Sequence, residues 1–232
     1  MNNAVMLVKD RFALTQQALA TFFENSRLDW TLTIVDDGSK FATQQLLTVV
    51  SVRPNVTIVR APKEVCCTAR MRNLGVYWSE KMFGRGVSLY LSDNDAYFTP
   101  GWDEALSIAY WKADSEGYKL IGPYRHPYHL PSKNNVVRLP SNYEVVSTDA
   151  VQGIGHQMRW ETWDKYGPLD DQGAIGTNMS EDWAFCQRIV KDGFLVGSIQ
   201  PEVVHNCGIH GTNGKPSPGA EVMERIPGVL ML

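Results

Sequence analysis

Two carboxylates separated by a single residue follow an apolar run in the first half of the chain. The run covers residues 87–91 (Val-Ser-Leu-Tyr-Leu), and Ser92-Asp93-Asn94-Asp95 comes directly after it. Such a run predicts a buried strand, and open α/β sheets bind ligands outside the carboxyl ends of their strands. Carboxylate oxygens suit Mg²⁺ or Mn²⁺, which are often shared with substrate phosphates. A plain turn is the alternative, because Asp and Asn are common in turns.

Two further acidic pairs lie at the ends of predicted elements. Asp36 and Asp37 follow an apolar run, and Glu181 and Asp182 precede a helical pattern. The first pair could simply form an Asx turn with Gly38. The second could be helix N-terminal residues, where negative charge suits the helix dipole. Each alternative is ordinary alone, but three acidic clusters at element ends indicate a functional site.

Alternating strands and helices must position these carboxylates. Hydrophobic spacing predicts strands over residues 4–8, 30–35, 56–59 and 87–91, and helices over 14–23, 41–50 and 68–78. This alternation implies parallel strands with helical crossovers, and so an α/β fold with a Rossmann-like, mostly parallel sheet flanked by helices. Later segments are predicted as helices at 102–111 and 181–191, strands at 120–122 and 195–199, and a long loop at 124–142.

Composition limits the classes of protein to consider. The chain has 232 residues, 44% hydrophobic and 20% charged, which fits one globular domain. A net charge of −3 argues against tight non-specific binding of nucleic acid. No stretch approaches the roughly 20 apolar residues of a membrane span, so we expect a cytoplasmic protein. The four cysteines do not have zinc-site spacing.

Several short motifs occur in a characteristic order along the chain. They lie at residues 6–11 (Met-Leu-Val-Lys-Asp-Arg), 34–39 (Ile-Val-Asp-Asp-Gly-Ser), 70–75 (Arg-Met-Arg-Asn-Leu-Gly), 91–95, 97–102, 159–161, 166–170 and 181–183. This ordered set resembles GT-A glycosyltransferases, specifically the family 2-like group that uses nucleotide-sugar donors. The resemblance covers about residues 4–210. It implies one GT-A domain, with a donor-binding half at 1–100, an acceptor-binding half at 101–211 and an irregular tail at 212–232.

The resemblance also implies roles for individual residues. Asp93-Asn94-Asp95 matches the DXD motif, in which Asp95 would ligate Mn²⁺ or Mg²⁺ and Asp93 would contact ribose or a metal-bound water. His205 would be a third metal ligand, with His210 as its rival. The residues expected to bind the donor are Val8, Arg11, Asp36, Asp37, Arg70, Asn73, Asp93 and Asn94. A solvated helix face accounts equally well for Arg72, and His156 receives no role.

The second acidic pair matches the family's catalytic position. Asp182 would act as general base on the acceptor hydroxyl, and Glu181 would support or orient the acceptor. These assignments imply a metal-dependent transfer of one sugar from a nucleoside diphosphate donor, UDP-linked by expectation, with inversion. Residues 157–160 match the motif of processive synthases only loosely and precede the acidic pair, so a single transfer is expected.

Two alternatives to this function stay open. One is a nucleotidyltransferase of similar architecture, although residues 9–12 (Lys-Asp-Arg-Phe) lack the Gly-rich loop expected for a triphosphate. The other is a non-catalytic module that binds a nucleotide or glycan. The acceptor could be a glycan, a lipid-linked sugar, a protein, a small molecule or a hydroxylated base in nucleic acid.

Overall fold

A computed structural model describes residues 1–62, 67–124, 131–170 and 181–208 of the chain. Six α-helices lie in these ranges: α1 Phe12–Asn25, α2 Phe41–Val50, α3 Thr68–Phe83, α4 Trp102–Asp114, α5 Trp160–Tyr166 and α6 Glu181–Lys191. The strands are β1 Asn2–Val8, β2 Trp30–Asp36, β3 Val56–Arg60, β4 Leu89–Asp93, β5 Ala96–Phe98, β6 Tyr118–Gly122, β7 Ser132–Arg138, β8 Glu144–Ser147, β9 Gly155–Met158, β10 Leu195–Gln200 and β11 Val204–Asn206.

Within the described residues, the central sheet has nine strands in the order β3-β2-β1-β4-β9-β6-β10-β8-β7. Its first four strands are mutually parallel, as the alternation of strands and helices predicts. β9 runs antiparallel to both β4 and β6, and β8 runs antiparallel to both β10 and β7. Because β6 and β10 are parallel, β8 and β9 alone oppose the common direction within the described sheet. The expected mostly parallel α/β fold is confirmed.

Two apolar clusters cover opposite faces of the sheet. Side chains of α1, α2 and α4 pack on one face, where Trp102 stacks on Trp30 with ring centroids 5.4 Å apart. Side chains of α3, α5 and α6 pack on the other face. The strands between these layers read as continuous apolar runs, because both of their faces are buried. The three-layer packing fixes the carboxyl ends of β1, β2 and β4 at one edge of the sheet.

The prediction of a loop over residues 124–142 is partly wrong. Residues 132–138 form β7, which pairs with β8 through contacts such as Val137 with Val145. Its polar sequence gives no alternation, so pairing with a neighbouring strand rather than intrinsic propensity decides its structure. Residues 125–130 lie outside the described residues, as does the predicted tail at 212–232.

Most predicted elements are confirmed, with small shifts at their ends. The bounds of α2 and α6 agree with the sequence pattern, whereas α3 extends five residues beyond the predicted end at Trp78. The last turns of a helix lie at its exposed end, where hydrophobic spacing is a weak guide. Within the described residues, no helix has both the length and the apolar character that crossing a bilayer requires.

Candidate active site

Parallel register brings two of the acidic clusters, Asp36-Asp37 and Asp93-Asn94-Asp95, to the same edge of the sheet. Val8, the last residue of β1, pairs with Asp36 on one side, and its neighbour Leu7 pairs with Asp93 on the other. Neighbouring strands are about 4.8 Å apart, so the backbones of Asp36 and Asp93 are separated by roughly 10 Å. Val8 itself is buried. The strand ends therefore form one continuous ledge with a carboxylate on each side of β1.

The turn between β4 and β5 carries the rest of the DXD motif. The Asn94 side chain donates to Thr15 Oγ1 at 2.7 Å and to the Asp10 carbonyl at 3.2 Å, which ties this turn to the loop after β1. Arg11 donates from Nη1 to Asp95 Oδ2 at 2.8 Å. Asp10 and Arg11 both have positive φ, 52° and 51°, which is uncommon for residues other than glycine. This backbone bend turns Arg11 towards the motif.

A buried arginine of α3 joins the DXD motif to the second acidic pair. Arg72 donates from Nη2 to Asp93 Oδ1 at 3.0 Å and to the Gly153 carbonyl at 3.0 Å. Its Nη1 donates to Asp182 Oδ1 at 2.5 Å and contacts Glu181 Oε1 at 3.4 Å. The Arg72 side chain is 2% exposed. One guanidinium group therefore holds carboxylates from the end of β4 and from the first turn of α6.

The sequence of α3 explains why an arginine is buried there. Ala69, Arg72, Val76 and Ser79 are all buried, and their spacing of three or four residues places them on one helix face. This face packs against β1 and β2, where a Cβ atom added at Gly75 would overlap Val5 and Val35. The close approach of α3 to the sheet brings Arg72 to the strand ends.

The cluster has more negative than positive charge. Burial raises the pKa of Asp95 to about 6, and Asp93 adds to this effect while Arg11 opposes it. Burial also raises the pKa of Asp93, against the attraction of Arg72. Burial and Asp182 raise the pKa of Glu181, again opposed by Arg72. Burial would lower the pKa of Arg72, but the three carboxylates outweigh it and raise that pKa, so the guanidinium stays charged.

A buried histidine lies near the acidic pair Glu181-Asp182. His156 Nε2 is 3.0 Å from the Val151 carbonyl and 3.8 Å from Asp182 Oδ1. The carbonyl can only accept, which assigns the proton to Nε2. Burial lowers the pKa of His156, so the ring is neutral near pH 7. Its ring stacks on Phe185 of α6 with centroids 6.3 Å apart, which supports the start of that helix.

Asp36, at the end of β2, faces a separate cleft. Asp36 is buried, and its Oδ1 accepts a hydrogen bond of 2.9 Å from the Ser39 backbone N–H. This is the Asx-type turn that the sequence left open. Asp36 also lines a cleft of about 560 Å³ between α2 and β3, together with Gln44 and Arg60. Asp37 accepts from Lys9 Nζ at 2.7 Å in an exposed contact and does not line that cleft.

The two α3 residues expected at the donor lie on another side of that helix. Asn73 exchanges hydrogen bonds with the backbone of Leu169, at 2.8 Å to the carbonyl and 2.9 Å from the N–H. Arg70 lines a second cleft, of about 380 Å³, with Asn73, Asp170 and Arg188. Arg188 donates to the Pro168 carbonyl at 2.8 Å. The helix thus directs Arg72, rather than these two residues, into the carboxylate cluster.

The late histidine lies on the small sheet formed by β5 and β11. His205 pairs with Tyr97 across that sheet and its Nδ1 is 3.7 Å from Glu202 Oε2. Two residues on, Cys207 donates its N–H to the Asp95 carbonyl at 2.7 Å. Within the described residues, no three His, Cys, Asp or Glu side chains converge as a complete metal site. His210 lies outside the described residues.

Sequence reasoning missed two members of this cluster. The solvated-face interpretation of Arg72 is wrong, because the side chain is buried among carboxylates. Its place on the buried face of α3, in step with Ala69 and Val76, is the signal that could have identified it. His156 carries no comparable signal, since its neighbour Asp182 is distant in the sequence.

Comparisons with known proteins bear on the fold. No protein-family model matches the sequence, and no curated protein matches it. A mannosyltransferase from Pyrobaculum calidifontis, PcManGT, solved with GDP-Man and Mn²⁺, matches with a TM-score of 0.58 and 14% identity, over 84% of this chain and 55% of that one. S. aureus TarS 1–349 matches with a TM-score of 0.60 and 13% identity, over 96% and 63%.

A third solved structure extends the same result. GalNAc-T7, solved with UDP, GalNAc and Mn²⁺, matches with a TM-score of 0.66 and 9% identity, over 86% of this chain and 42% of that one. The chain therefore spans about half the length of these solved proteins. At such low identities the likeness establishes the fold, and the chain has the GT-A fold.

Proposed function

We propose that this GT-A-fold chain is a metal-dependent glycosyltransferase that moves one sugar from a nucleoside diphosphate donor to a hydroxyl acceptor. The observation that carries the proposal is the convergence of four carboxylates, Asp93, Asp95, Glu181 and Asp182, at the carboxyl ends of the parallel strands. These residues come from two distant segments of the chain. Three of them, Asp93, Asp95 and Glu181, have raised pKa values, and a cluster of such groups is typical of a functional site.

The donor is proposed to lie along the strand ends. Asp36 and the cleft beside it would receive the base and ribose, since a carboxylate accepts hydrogen bonds from an imide or a hydroxyl. Arg11 and Asn94, which contact Asp95 and the loop after β1, are proposed to lie along the diphosphate. Arg70 and Asn73 face the second cleft, so a role for them in donor binding would need a part of the donor that reaches that cleft. TarS was solved with UDP-GlcNAc and PcManGT with GDP-Man. We take UDP as the first nucleoside diphosphate to test.

The donor set fits a hard divalent cation. Asp93 and Asp95 supply the oxygen atoms that Mn²⁺ and Mg²⁺ prefer, with His205 as the proposed third ligand and His210 as its rival. The described cluster contains four carboxylates and two guanidinium groups, so its formal charge is −2. One divalent cation would neutralise that charge. When bound, the ion would stabilise the negative charge that develops on the departing diphosphate.

Asp182 is proposed as the general base. Its Oδ1 accepts a hydrogen bond from Arg72, which orients the carboxylate. Asp182 would remove the proton of the acceptor hydroxyl while that oxygen bonds to the anomeric carbon. The bond from that carbon to the phosphate oxygen breaks at the same time, and the nucleoside diphosphate leaves. Attack on the face opposite the leaving group inverts the anomeric configuration.

The two halves of the chain are proposed to bind different substrates. Residues 1–100 would bind the donor, and residues 101–211 would bind the acceptor. Glu181 lies beside Asp182 in the first turn of α6 and would orient the acceptor hydroxyl. The acceptor would carry a hydroxyl group and belong to one of the classes of molecule given in the sequence analysis.

A thermal-stability panel tests the proposal first. Purified protein is heated with nucleoside mono-, di- and triphosphates and sugar nucleotides, each with and without Mn²⁺. A ligand at 100 times its Kd adds about 2.7 kcal/mol to the free energy of unfolding. We expect one nucleoside diphosphate and its sugar ester to stabilise the protein with Mn²⁺, and Asp95→Ala to abolish the effect.

The panel also separates the alternatives. Stabilisation by a triphosphate alone would favour nucleotidyl transfer. A stabilising sugar nucleotide that releases no nucleoside diphosphate with any acceptor pool would favour a binding module. Release of the diphosphate from the stabilising sugar nucleotide, dependent on Mn²⁺ and lost in Asp182→Asn, would establish the proposed reaction class.

A further inference from the structure

Arg72 is the common partner of the two acidic groups to which the proposed function gives different tasks. Its guanidinium contacts Asp93, at the end of β4, and both Glu181 and Asp182, at the start of α6. We propose that Arg72 is a positioning residue that sets the separation between the donor-side aspartate and the general base. The inference rests on the proposed function, and it adds a residue that touches neither donor nor acceptor.

The geometry of the guanidinium group makes this possible. Its two terminal nitrogens lie in one rigid plane, with Nη2 directed to Asp93 and Nη1 directed to Asp182. A planar fork with fixed donor directions holds two carboxylates at a defined distance, whereas a lysine ammonium group is a single point charge. The distance between the two carboxylates is therefore fixed by the width of one side chain.

The surroundings of Arg72 keep the fork in place. The Gly153 carbonyl accepts from Nη2 at 3.0 Å, and a Cβ atom added at Gly153 would overlap the guanidinium. The Arg72 side chain is 2% exposed, so solvent does not screen its contacts. Without the guanidinium, three partly buried carboxylates would face one another, and their repulsion would move α6 away from β4.

The consequence for catalysis falls on the chemical step. Both contacts that Asp182 makes with described residues, from Arg72 and His156, are at Oδ1. We assign Oδ2, the other carboxylate oxygen, to the acceptor hydroxyl. A base displaced by about 1 Å from its reacting atom can lower the rate about 100-fold. Donor binding depends on the strand ends and on Arg11, so it should change much less.

Two substitutions at Arg72 and one control test the inference. Arg72→Met removes the charge and the fork, and Arg72→Lys keeps the charge but removes the fork. Arg85→Met is the control, because Arg85 also bridges two carboxylates, Glu80 and Asp164, but does so at the exposed surface. Each variant is measured for its melting temperature, its Kd for UDP with Mn²⁺ by calorimetry, and its kcat and KM for diphosphate release.

The expected pattern is specific. Arg72→Met should lose about 100-fold in kcat with a Kd for UDP and Mn²⁺ within about fivefold of the wild type. Arg72→Lys should recover only part of kcat, and Arg85→Met should stay within twofold. Wild-type kcat in either Arg72 variant would overturn the inference, as would a loss confined to KM. If Arg72→Met does not fold, Arg72→Lys carries the comparison.

A structural readout keeps this inference separate from the proposed function. If the wild-type chain releases no diphosphate, the proposed function fails, and the crystal structure of Arg72→Lys then decides the positioning role. A change of about 1 Å or more in the distance between the Asp93 and Asp182 carboxylates would support it. Unchanged carboxylate positions would overturn it whatever the activity.

Discussion

Replacing Asp95 by asparagine should stabilise the fold while it abolishes donor binding. Asp95 lies beside Asp93 with its side chain only 18% exposed, and the loss of solvent together with Asp93 raises its pKa from 3.8 to about 6. A carboxylate with a raised pKa in the folded state destabilises that state when it is ionised. The penalty is fully present above about pH 6 and vanishes below about pH 3.8. Asparagine has the same shape without the charge, so it removes the penalty.

The magnitude follows from the two pKa values. A pKa difference of one unit corresponds to about 1.4 kcal/mol, so the change from 3.8 to about 6 gives about 3 kcal/mol at pH 8. The attraction of Arg11 is already contained in that pKa and needs no separate correction. Proton linkage reduces the gain to about 1 kcal/mol at pH 4.5. For a chain of this length, about 3 kcal/mol raises the melting temperature by about 6–12 °C.

The assay is urea unfolding of wild-type and Asp95→Asn protein in EDTA-containing buffer at pH 8 and pH 4.5. Asp37→Asn is the control, because its ion pair with Lys9 is exposed and should be worth at most about 1 kcal/mol. The control should be neutral or destabilising at pH 8. A destabilised Asp95→Asn protein at pH 8, or a larger gain at pH 4.5 than at pH 8, would refute the electrostatic reasoning.

Four other predictions address the base, the metal and the packing. Asp182→Asn should lower kcat by about 10²–10⁴-fold in a turnover assay while calorimetry gives an unchanged Kd for UDP; normal turnover would exclude the base and the argument for inversion. Excess EDTA should stop diphosphate release and added Mn²⁺ should restore it, so full activity in EDTA would contradict the metal proposal. Gly75→Ala should lower the free energy of unfolding by about 1–3 kcal/mol in urea titration, because its Cβ would overlap Val5 and Val35; a stabilised variant would argue against the close approach of α3. Asp103→Ala should destabilise by at least about 3 kcal/mol, since the buried carboxylate accepts from Arg27, Leu28 and Trp30, and a loss below 1 kcal/mol would refute that role.

Much of the site could be predicted because its residues end local elements. Asp93 and Asp36 follow apolar runs, and a strand that is buried on both faces is visible in sequence as such a run. Once the strands are taken as parallel, their carboxyl ends must share an edge of the sheet. The helix pattern of α6 likewise placed Glu181 and Asp182 in a first turn. Each of these inferences needs only neighbouring residues.

The partners of these carboxylates could not be predicted in the same way. Arg72 is 110 residues from Asp182 and 21 from Asp93, and their meeting depends on how closely α3 and α6 approach the sheet. Side-chain volume at Gly75 and Gly153 decides that approach. β7 shows the same limit, because its polar residues become a strand only by pairing with β8.

The α/β alternation, the parallel first half and the acidic residues at the strand ends follow from local sequence, because hydrophobic periodicity and turn chemistry act over a few residues. The burial of Arg72, the contact of Arg11 with Asp95 and the position of His156 near Asp182 follow from the packing of distant segments. Those contacts depend on burial and on long-range packing. A charged residue on a helix is solvated or buried according to which surface that helix meets, and one helix's sequence does not specify that surface.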